Sequence, residues 1–165
     1  MNNHRENVMI EIEKFLEKEN VTSYKCLELG AGTSQEFQQK FYHHSVSEWI
    51  TTDSTTGTYM ENLSEYEDKS FDIIFSCHAF EHCENPIQAL REMKRVARKF
   101  IIIATPYHCV HQVLRADADH IMVLTELQMK RLFKYVGIPE YKIYTQMLEG
   151  VREQDWNLIS LGDLR

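Results

Sequence analysis

Nowhere does the sequence hold the ~18 consecutive apolar residues a membrane helix needs. Its polar, acidic opening, MNNHRENVMIEIEKFLEKEN, lacks the apolar core of a signal peptide. The expected location is the cytoplasm, with no membrane partner. The four cysteines, Cys26, Cys77, Cys83 and Cys109, form no Cys-x-x-Cys pair, so reduced thiols are expected. Positive charge is in deficit, 18 Lys and Arg against 25 Asp and Glu giving −7. That balance disfavours nucleic acid as a partner, because affinity for a phosphate backbone comes largely from basic side chains that release counterions. With 3 prolines and 6 glycines there is no Pro/Gly linker, and neither repeats nor low-complexity tracts interrupt the 165 residues. A single domain over 1–165 is expected.

What is present alternates between two periods. Met9, Ile12, Phe15 and Leu16 fall at helical spacing and predict a covering helix within residues 1–20. Tyr24 to Leu29 reads as a strand, followed by Gly30, Ala31 and Gly32 and then a helical stretch from Ser34 to His43. Further strands are expected at Glu48–Thr52, Phe71–Ser76, Phe100–Ala104, Tyr141–Met147 and Trp156–Leu161. Helices are expected at Pro86–Arg98, opened by a proline suited to a first turn, and at about Thr125–Tyr135, stopped by Gly137. The continuous apolar run Phe100–Ala104 suits a strand covered on both faces. The pattern predicts an α/β fold: a Rossmann-like, mostly parallel sheet with helices on both faces.

Gly30 and Gly32 stand where the first strand meets a helix, a place that needs a tight turn and a backbone without side chains in a ligand's way. Asp53 follows Gly32 by 21 residues, at the end of the second strand, where a carboxylate can accept from both hydroxyls of a ribose. Together they describe a nucleoside pocket. A plain turn and a loop-capping Asp53 are the bland alternative. A dinucleotide site would want a third glycine where Gln35 stands, which weakens a nicotinamide-enzyme reading.

The segment Glu28-x-Gly30-x-Gly32 resembles the first motif of class I S-adenosylmethionine-dependent methyltransferases. Phe71–Ser76 followed by Phe80-Glu81-His82 and Asn85–Leu90 is similar to the fourth-strand region of their type 11 group. Glu92–Val96 with Thr105-Pro106, and His120 with Leu124–Leu127 and Val136–Ile138, resemble later parts of that group in the same order. The resemblance implies S-adenosylmethionine as cofactor, methyl transfer to a small-molecule acceptor, and an antiparallel last strand. It implies that Gly30 and Gly32, with Ala31 between them, let the cofactor pass, that Glu28 holds water or its amino group, and that Asp53, beside Ser54, binds the ribose. Asn62 and Leu63 would flank the adenine, while Cys77 and His78 would face the transferable methyl. Only 17 residues separate Asp53 from Phe71, so the third-strand region is expected to be shortened, with Glu61 as an alternative ribose carboxylate. The oligomeric state stays open, a dimer being one way to cover such an edge.

An acceptor that must lose a proton calls for a base near neutral pKa, and histidine is the usual one. Of His78, His82, His108, His111 and His120, the last strand-end and loop members, His82 and His120, rank first as catalytic residues. No metal is expected: Ala79 follows His78 where a zinc protease needs Glu, and the letters of H-x-x-E-H at His78, Glu81 and His82 fall outside a helix. The basic run Arg91, Lys94, Arg95, Arg98 and Lys99 reads as the solvated face of one helix. A noncatalytic relative that binds the cofactor or a partner protein is the competing reading.

Overall fold

The chain is described by a computed structural model at residues 4–32, 46–107, 120–147 and 156–165. The strands are Tyr24–Leu29 (β1), Val46–Thr52 (β2), Phe71–Cys77 (β3), Ala97–Pro106 (β4), Glu140–Gln146 (β5) and Asn157–Asp163 (β6). The helices are His4–Lys18 (α1), Pro86–Val96 (α2) and Glu126–Val136 (α3). The helix expected at Ser34–His43 lies outside the described residues, as do His108, Cys109 and His111.

The strands form one sheet in the order β2-β1-β3-β4-β6-β5. The first four are parallel; β6 runs antiparallel to both β4 and β5. Alternation along the strands divides the core into two layers. Phe100 and Ile102 point with Cys26, Ile73 and Phe75 to the face covered by Val8, Met9, Ile12 and Leu16 of α1. Ile101 and Ile103 point with Leu27, Leu29 and Ile74 to the face covered by Leu90, Met93 and Val96 of α2 and by Met129 and Phe133 of α3. Both faces of β4 are therefore buried, the physical reason for its unbroken apolar run.

Local signals set the helix ends. The Asn85 side chain accepts from the Gln88 amide at 3.1 Å, so α2 starts on a capped turn with Pro86 in its first position. Thr125 and Gln128 form a reciprocal capping box at the start of α3, and Gly137, at φ 75°, closes it. The expected helix to Arg98 stops earlier. Ala97 is extended and pairs with Phe71, while Arg98 and Lys99 reach the Asp72 carboxylate at 3.1 and 3.2 Å.

Between Asp53 and Phe71 the chain makes a 3-10 turn at Ser54–Thr56 and no strand, which leaves β2 as the sheet edge. This is the shortened third-strand region. Helix α2 holds the irregular segment in place. The Leu63 amide donates to the Glu92 carboxylate at 2.9 Å, and Arg95 donates to the Leu63 and Tyr66 carbonyls and to Asp68, each at 2.8 Å. Lys94 donates to the Val136 and Gly137 carbonyls that end α3. The basic run is thus not simply a solvated face: Lys94, Arg95, Arg98 and Lys99 are clamps between elements.

Candidate functional site

Strand β1 has its sequence neighbours on opposite sides, β2 on one and β3 on the other, so a crevice opens beyond the carboxyl ends of these strands. A cavity of about 750 Å³ lies there. Its walls come from Leu29 and Gly30 at the end of β1, Thr52, Asp53 and Ser54 at the end of β2, and His78, Ala79 and His82 after β3.

Two glycines shape the first wall. Gly30 and Gly32 have φ of 75° and 61°, the left-handed region that side chains disfavour. A Cβ at Gly30 would overlap that of Ala79, so glycine is required there by contact as well as by conformation. A Cβ at Gly32 would meet none of the described residues within 4 Å. The Gly30 and Ala31 amides donate to the Thr52 carbonyl at 2.9 and 3.1 Å. The turn is therefore welded to β2, and it offers the cavity bare backbone rather than unused amides.

The Gly32 amide donates to Oδ2 of Asp53 at 2.9 Å. The other oxygen, Oδ1, accepts from the Thr55 amide at 2.9 Å and its hydroxyl at 2.7 Å. Partial burial pushes the Asp53 carboxyl up, but these donors from Thr55 and Gly32 outweigh it and hold the group below the ordinary carboxylate value. Asp53 does cap the turn at Ser54–Thr56, as the bland reading has it, and it does so while joining the glycine turn to the cavity mouth.

At the third wall, His78 takes φ 53° and its amide donates to the Ala104 carbonyl at 2.8 Å. Its Nε2 lies 2.9 Å from Oδ1 of buried Asn157. Asn157 donates to Gln146 at 2.9 Å, and Gln146 donates to the Asn7 carbonyl at 2.9 Å. A carbonyl only accepts, so the chain has one direction, and His78 Nε2 carries the proton. The imidazole is fixed in orientation and tautomer from α1, β5 and β6.

Beside it, Phe80–His82 forms a 3-10 turn that buries Glu81, at 1% exposure. The Ile121 and Met122 amides both donate to the Glu81 carbonyl at 3.2 Å, which staples His120 over the turn. Nε2 of His82 and Nε2 of His120 each stand 3.9 Å from Oε1 of Glu81. The two rings meet edge to face, 4.8 Å between centroids. Burial pushes the Glu81 carboxyl up to about 7, and its own backbone amide and His82 pull it back too weakly to cancel that.

Of the residues singled out from the sequence, Gly30, Asp53, Ser54, His78 and His82 line the cavity, and Glu61 does too. Gly32 and Ala31 stand behind its rim. The structure does not bring the others there. Leu63 is sealed in the core under α2, because its amide and carbonyl are taken by Glu92 and Arg95, and Asn62 beside it does not line the cavity. Cys77 points to the α1 layer by strand alternation. Glu28 is buried and accepts from the Trp49 indole at 2.8 Å, so it braces β1 against β2. Tyr59 and Met60, which do line the cavity, went unnoticed because they sit in an irregular segment with no period to read. Glu81 drew notice only as a letter in a motif, since burial of a carboxylate in a turn leaves no sequence pattern.

The methyltransferase domain family matches residues 15–103, more than half of the chain. No curated protein matches the sequence. Among solved structures, the YcgJ protein of Bacillus subtilis superposes with a TM-score of 0.75 at 16% identity, over 98% of this chain and 99% of that one. A SAM-dependent methyltransferase from Archaeoglobus fulgidus gives 0.68 at 15% identity, covering 94% of each. Another, from Thermotoga maritima, gives 0.62 at 17%, over 98% of this chain and 91% of that one. At these identities the likeness is one of fold. No helix among the described residues is long and apolar enough to cross a membrane.

Proposed function

Because the chain belongs to the methyltransferase domain family, we propose that it transfers a methyl group from S-adenosylmethionine to a small-molecule acceptor in the cytoplasm. The observation that carries this reading is the 2.9 Å hydrogen bond from Gly32 to Asp53. It ties the bare glycine turn and the strand-end carboxylate to one mouth, as an adenosyl group would need. A cavity of about 750 Å³ falls within the roughly 300–1,000 Å³ usual for small ligands. Buried free thiols at Cys26, Cys77 and Cys83 suit a reducing compartment.

When bound, the cofactor supplies an electrophilic methyl on a sulfonium, open to in-line displacement. The chain's own part is positioning, which for a reaction of this type supplies much of the acceleration. Asp53 accepts three protein donors on an oxygen pair with about four lone-pair sites, so capacity remains for a ribose hydroxyl. Gly30 and Gly32 keep side chains out of the passage. Tyr59 and Met60 offer apolar surface for a base in place of the expected Asn62 and Leu63. His78, locked by Asn157, and His82 border the far end, where an acceptor's proton has to be held or removed.

Isothermal titration with S-adenosylmethionine and S-adenosylhomocysteine tests the binding half. Micromolar affinity is expected, and no heat at high micromolar concentration overturns the reading. Formation of S-adenosylhomocysteine across a panel of small hydroxyl, thiol and amine acceptors tests turnover. A chain that binds the cofactor yet consumes none with any acceptor overturns the catalytic half in favour of a binding role.

A further inference from the structure

Glu81 is a buried carboxylate at 1% exposure, and neither of its oxygens has a hydrogen-bond partner among the described residues. Leaving a buried acid unmatched is costly, charged or neutral, so something must complete it. Around it the fold has gathered two imidazoles from distant parts of the chain: His82 next to it, and His120, held by the Ile121 and Met122 amides on the Glu81 carbonyl. One ligand atom from each of Glu81, His82 and His120 lies within 4.8 Å of the others.

We infer that Glu81, His82 and His120 form a site for a divalent transition-metal cation beside the cavity wall that His82 lines. Two imidazole nitrogens and one carboxylate oxygen suit zinc, manganese, iron or cobalt rather than calcium or magnesium, which prefer all-oxygen surroundings. The 3.9 Å separations exceed the roughly 3.0–3.4 Å between ligand atoms that metal bonds of about 2.1 Å imply. With the atoms of the set up to 4.8 Å apart, closing it takes a contraction of roughly 0.5–1.5 Å. His82, partly exposed on the cavity wall, is the member with room to move. His78 is no part of the set, which comprises Glu81, His82 and His120 alone. The H-x-x-E-H letters therefore mislead: the third ligand is His120, 38 residues beyond His82.

Three protein ligands leave further coordination positions for a cation, His82 places the set against the cavity wall that it lines, and one carboxylate leaves a net positive charge there. On the methyl-transfer reading, on which this further step rests, such a site selects acceptors that offer an oxygen atom, above all a hydroxyl, over amines protonated at neutral pH.

The test uses the full chain, stripped with a chelator and titrated with Co²⁺ and Zn²⁺ by calorimetry and by Co²⁺ visible absorption. One equivalent is expected to bind with micromolar or tighter affinity, raise the unfolding midpoint, and give a Co²⁺ spectrum of mixed nitrogen and oxygen ligation. Glu81→Gln and His120→Asn should each weaken binding at least tenfold, and the exposed Glu48→Gln should change nothing. Should Glu81→Gln fail to fold, His82→Asn, at a partly exposed side chain, carries the same expectation. No stoichiometric binding by the stripped chain, or equal binding by the ligand variants, overturns the inference. S-adenosylhomocysteine titrated into the same samples separates the two ideas. Its binding without any metal site removes only the cation, whereas a metal site without its binding removes only the methyl-transfer reading.

Discussion

Asp53 and Glu81 stand just past the ends of two parallel strands, Asp53 on the cavity wall and Glu81 buried behind His82, and their surroundings are opposite. Asp53 is partly exposed and receives three donors, so its carboxyl lies below the ordinary value. Glu81 is buried, has no hydrogen-bond partner among the described residues beyond the weak pull of its own amide, and is pushed up to about 7. The segment after β2 is likewise finished from within, clamped by Glu92 and Arg95, while the turn after β3 encloses a carboxylate that no described residue completes. The difference teaches that protein donors complete the carboxylate beside the glycine turn, whereas the one beside His82 and His120 is where the proposed cation would supply the missing charge.

The largest effect expected on the glycine side comes from Gly30→Val. The new side chain would overlap Ala79 in a left-handed backbone conformation, so affinity for S-adenosylhomocysteine should fall by roughly a hundredfold or more, with a lower unfolding midpoint. Calorimetry on the variant decides it, and unchanged affinity would break the assignment of this turn to the cofactor. Next comes Asp53→Ala, which removes a charged acceptor worth about 2 kcal/mol to a ribose hydroxyl, or some thirtyfold in affinity. If its affinity equals that of the parent, Asp53 is only a loop cap and the contrast with Glu81 loses its functional meaning.

Arg95→Met sharpens the comparison by loosening the clamp without touching the cavity. Chemical denaturation should show a loss of about 2 kcal/mol, from several charge-assisted bonds on a partly exposed side chain. The smallest effect is on the acid limb of stability. Folding lowers the carboxyl pKa of Asp53 and Asp72, so their contribution is present above the ordinary value near 3.8 and is lost as pH falls through the lower folded one. Unfolding midpoints from about pH 5 to pH 2 should decline, and Asp72→Asn should flatten part of the decline. A parallel curve for the variant would mean that the Lys25, Arg98 and Lys99 contacts do not stabilise that charge.

Legibility followed locality. Strand β1 was readable to the residue, and β4 announced its two covered faces by its apolar run. The Gly32 and Asp53 pair was readable because a strand, a turn and a second strand impose a narrow spacing on it. By contrast, Asn62 and Leu63 were expected beside the cavity by analogy with a strand that this chain does not form, and the clamp from α2 turned Leu63 into the core. The basic run of α2 looked solvated because a helix pattern reports which face is polar, not whether another segment lies against it.

What the sequence determined alone is whatever depends on neighbours along the chain: the strands and helices, their caps, the glycine turn and the shortened stretch before β3. Only the tertiary structure decided that His120 meets Glu81 and His82, that Asn157 orients His78, and that Arg95 holds the loop after β2. Those meetings join residues tens of positions apart. Periodicity carries no information about them, because the packing of one element on another, rather than any local preference of the backbone, brings such side chains together.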